Sequence, residues 1–221
     1  MRIYFTRHGE TEWNKEGTIQ GQMDSPLTEN GIRMGKILHE KSKDVHFDEV
    51  YSSDLGRAYD TAKLICPNSH IVKTSLLREI DVGYWSGKNI NEVKKDDSRL
   101  HRLYFDNPNK YNRVDGESLY DLRSRVEKFF EYAVYPELDE TILVVAHGVT
   151  IVAMYSIMEE VPMENFWDNK VRRNGEFNIA DYHAGKFKIV KKAPQNPVDS
   201  IWGWLYEKLW FNYSRCRCIW T

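Results

Sequence analysis

A chain of 221 residues can bury one substantial core but is short for two catalytic units, so a single domain is expected over 1–197, followed by a tail at 198–221. Lys and Arg number 31 against 33 Asp and Glu, and a formal net charge of −2 offers no general attraction to nucleic acid or to an anionic membrane. Cys66, Cys216 and Cys218 are too few and too unevenly placed for a disulfide framework or a zinc site, which fits a reducing cytoplasm. There is no run of about 18 apolar residues, and MRIYFTRHGE enters structure without a leader pattern, so a soluble, unexported protein is expected.

In chain order, RIYFT reads as a short buried strand, and LTENGIRMGKILHEKSK as a helix with Leu27, Ile32, Ile37 and Leu38 on its apolar side. FDEVYSS is the next strand. SDLGRAYDTAKLI reads as a helix capped by Ser53 or Asp54, carrying Leu55, Ala58, Tyr59, Ala62, Leu64 and Ile65 as a stripe and closed by Pro67. Helices are expected at 90–95 and 99–105, then a Pro/Asn-rich loop over 106–118 and a long helix from Glu117 to Leu138. TILVVA is a strand, VTIVAMYSIMEE a helix, and EFNIADYH and KFKIVKK two further strands. No 20–50-residue repeat occurs. The alternation implies an α/β three-layer sandwich, a mostly parallel sheet with helices on both faces.

Two of the strands end alike: RIYFT runs through Arg7 into His8-Gly9-Glu10-Thr11, and TILVVA runs into His147-Gly148-Val149-Thr150. Ligands of such sheets bind outside the strands' carboxyl ends. If these strands are neighbours, His8 and His147 face each other across one crevice, with Gly9 and Gly148 letting the backbone approach a bound group. Arg7 and Arg57 lie beside strand ends too, and guanidinium forks match phosphate oxygens. An exposed helical Arg beside a surface carboxylate is the other reading of Arg57.

In order along the chain, RHGET..N, SSDLGRA..TA, LREIDVGYWSG, DGES and VVAHG resemble the histidine phosphatase superfamily, in its cofactor-dependent phosphoglycerate mutase-like branch, from Arg2 to about Ile151. The resemblance implies His8 as the nucleophile, neutral and donating its other ring proton to a fixed acceptor. It implies a protonated His147 that joins Arg7 and Arg57 around the transferring phosphoryl group. Asn14, Gln20 and Gly21 match phosphate ligands, Asn14 also reading as a turn or cap residue, and Gly148 adds backbone beside the group. Glu79 matches the proton donor, with a surface carboxylate paired to Arg78 as its other reading. This scheme requires neither metal nor cofactor.

Mutases of the family carry an Arg- and Pro-rich insertion after the proton donor and a small hydroxyl residue where Gln20 stands. Here segment 80–115 is short and its Arg99, Arg102, Lys110 and Arg113 are scattered. A phosphatase acting on a small phosphorylated metabolite is therefore expected, with phosphoglycerate mutase chemistry as the alternative and a silent binding module as a distant one. Tyr104, Phe105 and Tyr111 read either as the pocket mouth or as core. In the tail, Trp202, Leu205 and Leu209 share a helical face, for packing on the domain, for a homodimer or, last, for a membrane interface.

Overall fold

The alternating apolar residues of β1 (Arg2–Arg7) are the hub of the sheet. After it come α1 (Glu12–Glu16), α2 (Glu29–Ser42), β2 (Glu49–Ser53), α3 (Gly56–Ile65), β3 (Val72–Thr74), α4 (Ile90–Asp96), α5 (Ser98–Asp106) and α6 (Leu119–Ala133). β4 (Thr141–Ala146), α7 (Gly148–Met158), β5 (Asn178–His183) and β6 (Lys186–Lys191) complete the order. The computed structural model describes residues 1–195, so the expected tail helix lies outside the described residues.

The six strands lie in the order β3-β2-β4-β1-β5-β6. β3, β2, β4 and β1 are parallel, whereas β5 pairs antiparallel with β1 and β6 antiparallel with β5. Period-two alternation divides the core. Ile3, Phe5, Ile142 and Val144 face α6 and α7, while Tyr4, Leu143, Val145 and Val50 face Leu38 of α2 and Ala58, Ala62 and Ile65 of α3. The sheet is thus covered on both faces. α7 is buried at every residue from Gly148 to Met158, which is why its sequence shows no polar stripe.

Three local expectations need correction, and two short elements, α1 and β3, are not anticipated from the sequence. In α2, Ile32 and Ile37 are exposed, and the buried stripe is Gly31, Gly35, Leu38 and Ser42. Small residues win there because α3 comes so close that a Cβ on Gly35 would stand 2.7 Å from Leu64 Cβ. Neither Ser53 nor Asp54 caps α3: the N-cap position is Leu55, Asp54 is held by Arg78, and the Arg57 amide donates to Asp24 Oδ1 at 3.3 Å. α6 is shorter than expected, opening on the Ser118–Asp121 capping box and closing at Val134, before Pro136. Finally, α1 has no buried residue and hence no apolar period to read; the Thr11–Asn14 capping box marks it instead.

Tyr104 and Tyr111 belong to the core, packed around Trp85. Among the described residues no helix is long and apolar enough to cross a membrane.

Candidate active site

β1 and β4 are adjacent and in register, Arg7 opposite Ala146, so the two His-Gly turns leave the sheet side by side. The His8 and His147 rings lie 5.2 Å apart, centroid to centroid. Arg57 arrives from the end of β2, the other neighbour of β4. Three adjacent strands therefore deliver Arg7, His8, Arg57 and His147 to one place.

His8 is buried and its Nδ1 lies 2.7 Å from Gly9 O. A carbonyl only accepts, so Nδ1 carries the proton and Nε2 keeps its lone pair, toward which Arg57 Nε donates at 3.3 Å. Burial first, then the charges of Arg57 and Arg7, hold this imidazole well below the usual histidine range. It is neutral at pH 7, as a nitrogen nucleophile must be.

Arg57 is anchored on its other nitrogens by Gly21 O at 2.8 Å, Met23 O at 2.7 Å and Asp24 Oδ1 at 3.0 Å. Gly21 thus contributes a carbonyl that fixes Arg57. Its φ of 53°, with Ser86 Oγ only 2.7 Å from where a Cβ would stand, explains the glycine. Arg7 is buried with Nε unpartnered, and burial together with the nearby Arg57 brings it down to about 10, Glu79 opposing. Two buried guanidinium groups converge on one pocket, and Arg7 Nε is unpartnered beside it, an arrangement suited to an anion.

His147 differs from expectation. It is fully buried, neither ring nitrogen has a partner, and it is not among the residues lining the pocket. Burial, then Arg57, His8, Arg125 and Arg7, drive it well below the usual range, so in the unliganded site it is neutral, not the protonated donor foreseen. Gly148 does not line the pocket either, and Gly9 serves protein packing: a Cβ there would meet Gly31 O of α2 at 2.6 Å.

Glu79 lies at the start of α7. Its Oε2 accepts from Val149 N at 3.1 Å, and its Oε1 from Thr150 N at 3.1 Å, Thr150 Oγ1 at 3.2 Å and Ile80 N at 3.1 Å. Arg78 binds Asp54 at 2.6 Å, so Glu79 is not its ion-pair partner. Glu79, Arg7, His8, Arg57, Asn14, Gln20 and Gly21 line one pocket, closed by Thr18, Ile19, Ile80, Val82 and Val149. Asn14 serves in the cap of α1, its Oδ1 accepting from Thr11 N at 3.1 Å, and the residue also lines the pocket. Gln20 Nε2 donates to Thr11 Oγ1 at 2.9 Å, leaving a buried Oε1 without a partner.

Several supporting residues carried no readable signal. Asp24 holds Arg57, Asn174 Nδ2 donates to His8 O at 2.5 Å, and Thr61 Oγ1 receives Gly9 N at 2.9 Å while donating to Arg57 O at 2.7 Å. Asp24 and Asn174 are isolated polar residues in sequence, and Thr61, although part of SSDLGRA..TA, has no role legible there; only the folded chain brings the three to the site.

The family model for the histidine phosphatase superfamily (branch 1) matches residues 3–193. Phosphoserine phosphatase 1 of Hydrogenobacter thermophilus is 35% identical over 169 residues, 76% of this chain and 80% of the relative. "Probable phosphoglycerate mutase GpmB" of Escherichia coli is 29% identical over 214 residues, 94% of this chain and 91% of the relative. Among solved structures, Bacillus stearothermophilus YhfR superposes with a TM-score of 0.83 at 29% identity, covering 88% of this chain and 98% of that one. A phosphoserine phosphatase of Entamoeba histolytica, determined with phosphoserine, gives 0.75 at 25% identity, covering 86% and 95%.

Proposed function

The chain belongs to the histidine phosphatase superfamily, branch 1, and from that premise we propose that it hydrolyses a small phosphomonoester through a phosphohistidine on His8. The observation that carries this reading is the tautomer of His8: Nδ1–H is tied to Gly9 O, and Nε2 is presented as a lone pair beside Arg57 in a buried site.

Nε2 attacks phosphorus in line and the P–O bond to the leaving group breaks. Arg7 and Arg57, with the His147 N–H, gather around the equatorial oxygens, where pre-placed donors gain most from the low dielectric. Glu79, entering the reaction as the carboxylic acid, passes its proton to the departing alkoxide and becomes the carboxylate. Water then attacks the phosphohistidine, its proton returns to Glu79, and inorganic phosphate leaves with His8 regenerated. Asn14 and Gln20 offer neutral contacts at the rim, and no step calls on a metal ion.

Hydrolysis is favoured over mutase transfer by the charge of the pocket. Among the described residues lining it, the only Arg or Lys side chains are Arg7 and Arg57, both at the phosphoryl end, which leaves no clamp for a substrate carboxylate. Arg113 has no exposed side-chain surface and is bound to Asp115. Among the described residues the pocket lining offers nothing that would raise the effective concentration of a second hydroxyl, so the phosphohistidine is open to water.

The test is phosphate release from a panel of phosphomonoesters, with quenched protein examined for phosphate that survives base and is lost in acid. Turnover and label are expected in wild type, insensitive to EDTA, and neither in His8→Ala. Undiminished turnover in that variant removes His8 from the mechanism. A 2-/3-phosphoglycerate interconversion that outruns phosphate release replaces hydrolase by mutase.

A further inference from the structure

Glu79 sits in a segment with little regular structure of its own, between the end of β3 and α4. Its carboxylate is aimed by α7, but its backbone is held by a different element. Arg125 of α6 donates through Nη1 to Leu76 O at 2.9 Å and Arg78 O at 2.8 Å, and through Nη2 to Glu79 O at 3.1 Å. The same guanidinium is forked onto Glu117, with Nε to Oε1 at 2.7 Å and Nη2 to Oε2 at 2.8 Å. Glu117 Oε2 also accepts Asp81 N at 2.9 Å, and Glu117 N donates to Asp81 O at 2.8 Å. One ion pair therefore grips the chain on both sides of Glu79, at 76, 78, 79 and 81.

We propose that Arg125 and Glu117 are a positioning pair that sets Glu79 for proton transfer, while the phosphoryl-binding His8 and Arg57 are anchored independently of it. The inference rests on the reading of Glu79 as proton donor. Its physical basis is the number of bonds converging on so short a segment. Three carbonyls bind one rigid fork, and a lysine, with its compact ammonium and three rotatable donors, cannot reproduce that pattern and the bidentate carboxylate together. A proton donor displaced by about 1 Å loses on the order of 10²-fold in rate. His8 and Arg57 are held by other groups, Gly9 for the first and Gly21, Met23 and Asp24 for the second, so the damage should be confined to the step that needs the proton. Neither Arg125 nor Glu117 lines the pocket.

The experiment compares Arg125→Lys and Glu117→Gln with wild type on 4-nitrophenyl phosphate and on the alkyl ester best turned over in the panel above, with melting temperature recorded. Expected is a loss of about 10- to 100-fold in kcat on the alkyl ester with KM little changed, and less than about 3-fold on the aryl ester, whose phenolate leaves unaided. In the Glu79→Gln background the same substitutions should add little, because the group they position is already disabled. Equal losses on both esters, or an undiminished extra loss in Glu79→Gln, overturn the positioning role and mark the pair as a support of the fold. If Arg125→Lys fails to fold, Glu117→Gln decides by the same criteria. A wild-type chain inert on every ester defeats the phosphatase reading itself; an active wild type with unselective variants defeats only this inference.

Discussion

His8 and His147 start from the same four-residue pattern, at the ends of two paired parallel strands, and finish in different states. His8 turns Nδ1 onto Gly9 O and receives Arg57 at Nε2, so both nitrogens are engaged and one tautomer is selected. His147 opens the wholly buried α7, whose second and third amides are taken by Glu79, and both of its ring nitrogens are unpartnered. The first ring is preorganised before anything binds. The second is a buried polar group without a hydrogen-bond partner, and the proposed mechanism accordingly uses the first ring as nucleophile and the second as transition-state donor.

The sharpest way to break this contrast is to delete each ring. His8→Ala should lower turnover by roughly 10⁶-fold, the scale of losing a nucleophile, and abolish the acid-labile label. His147→Gln should cost roughly 10²–10³-fold while the label still forms, because only a stabilising donor is lost. Equal losses, with no label in either, would make the two histidines one functional unit.

In the proposed mechanism the β4 end is also where the proton is handled. Glu79→Gln should slow an alkyl ester by roughly 10²–10⁴-fold and an aryl ester with an acidic phenol far less. Rates on a series of leaving groups check this, and a flat response would move the acid to another residue.

The two glycines separate the strand ends in stability rather than rate. Gly9→Ala forces a Cβ to within 2.6 Å of Gly31 O, a backbone atom that cannot turn aside, and should cost about 1–3 kcal/mol. Gly148→Ala meets Val171 Cγ1 at 3.1 Å, a side chain able to give, and gains helix propensity, so its loss should be smaller. Denaturant midpoints of the two variants provide the measurement.

The last effect concerns pH. His8 and His147 lie well below the ordinary histidine value and His101 is lowered to about 4, all chiefly by burial. Between the folded and unfolded values the unfolded chain binds more protons, so unfolding free energy rises with pH in that window. Stability should fall as pH drops below about 6.5, by up to ~1.4 kcal/mol per pH unit for each buried imidazole. Melting curves from pH 7 to 5 test the slope, and His101→Gln should reduce it by one group's share.

The sequence by itself determined the strands and helices of the sandwich other than the short α1 and β3, because period two and period 3.6 are local consequences of burying one side of an element. It also determined the residue types at the crevice, since the end of a strand fixes where the next side chain emerges: Arg7, His8, Arg57 and His147 could be placed from strand ends alone. It misplaced the face of α2, because Gly31 and Gly35 are chosen by how closely Glu10 and Leu64 approach, which no helical period encodes. Only the tertiary structure decided the protonation of His147, which follows from burial amid Arg57, Arg7 and Arg125 delivered by three separate elements. The anchoring of Arg57 by Asp24 and of the Glu79 segment by Arg125 and Glu117 was decided there as well. Desolvation and hydrogen-bond geometry act through space, and partners far apart in the chain have no shared pattern until the fold brings them within about 3 Å.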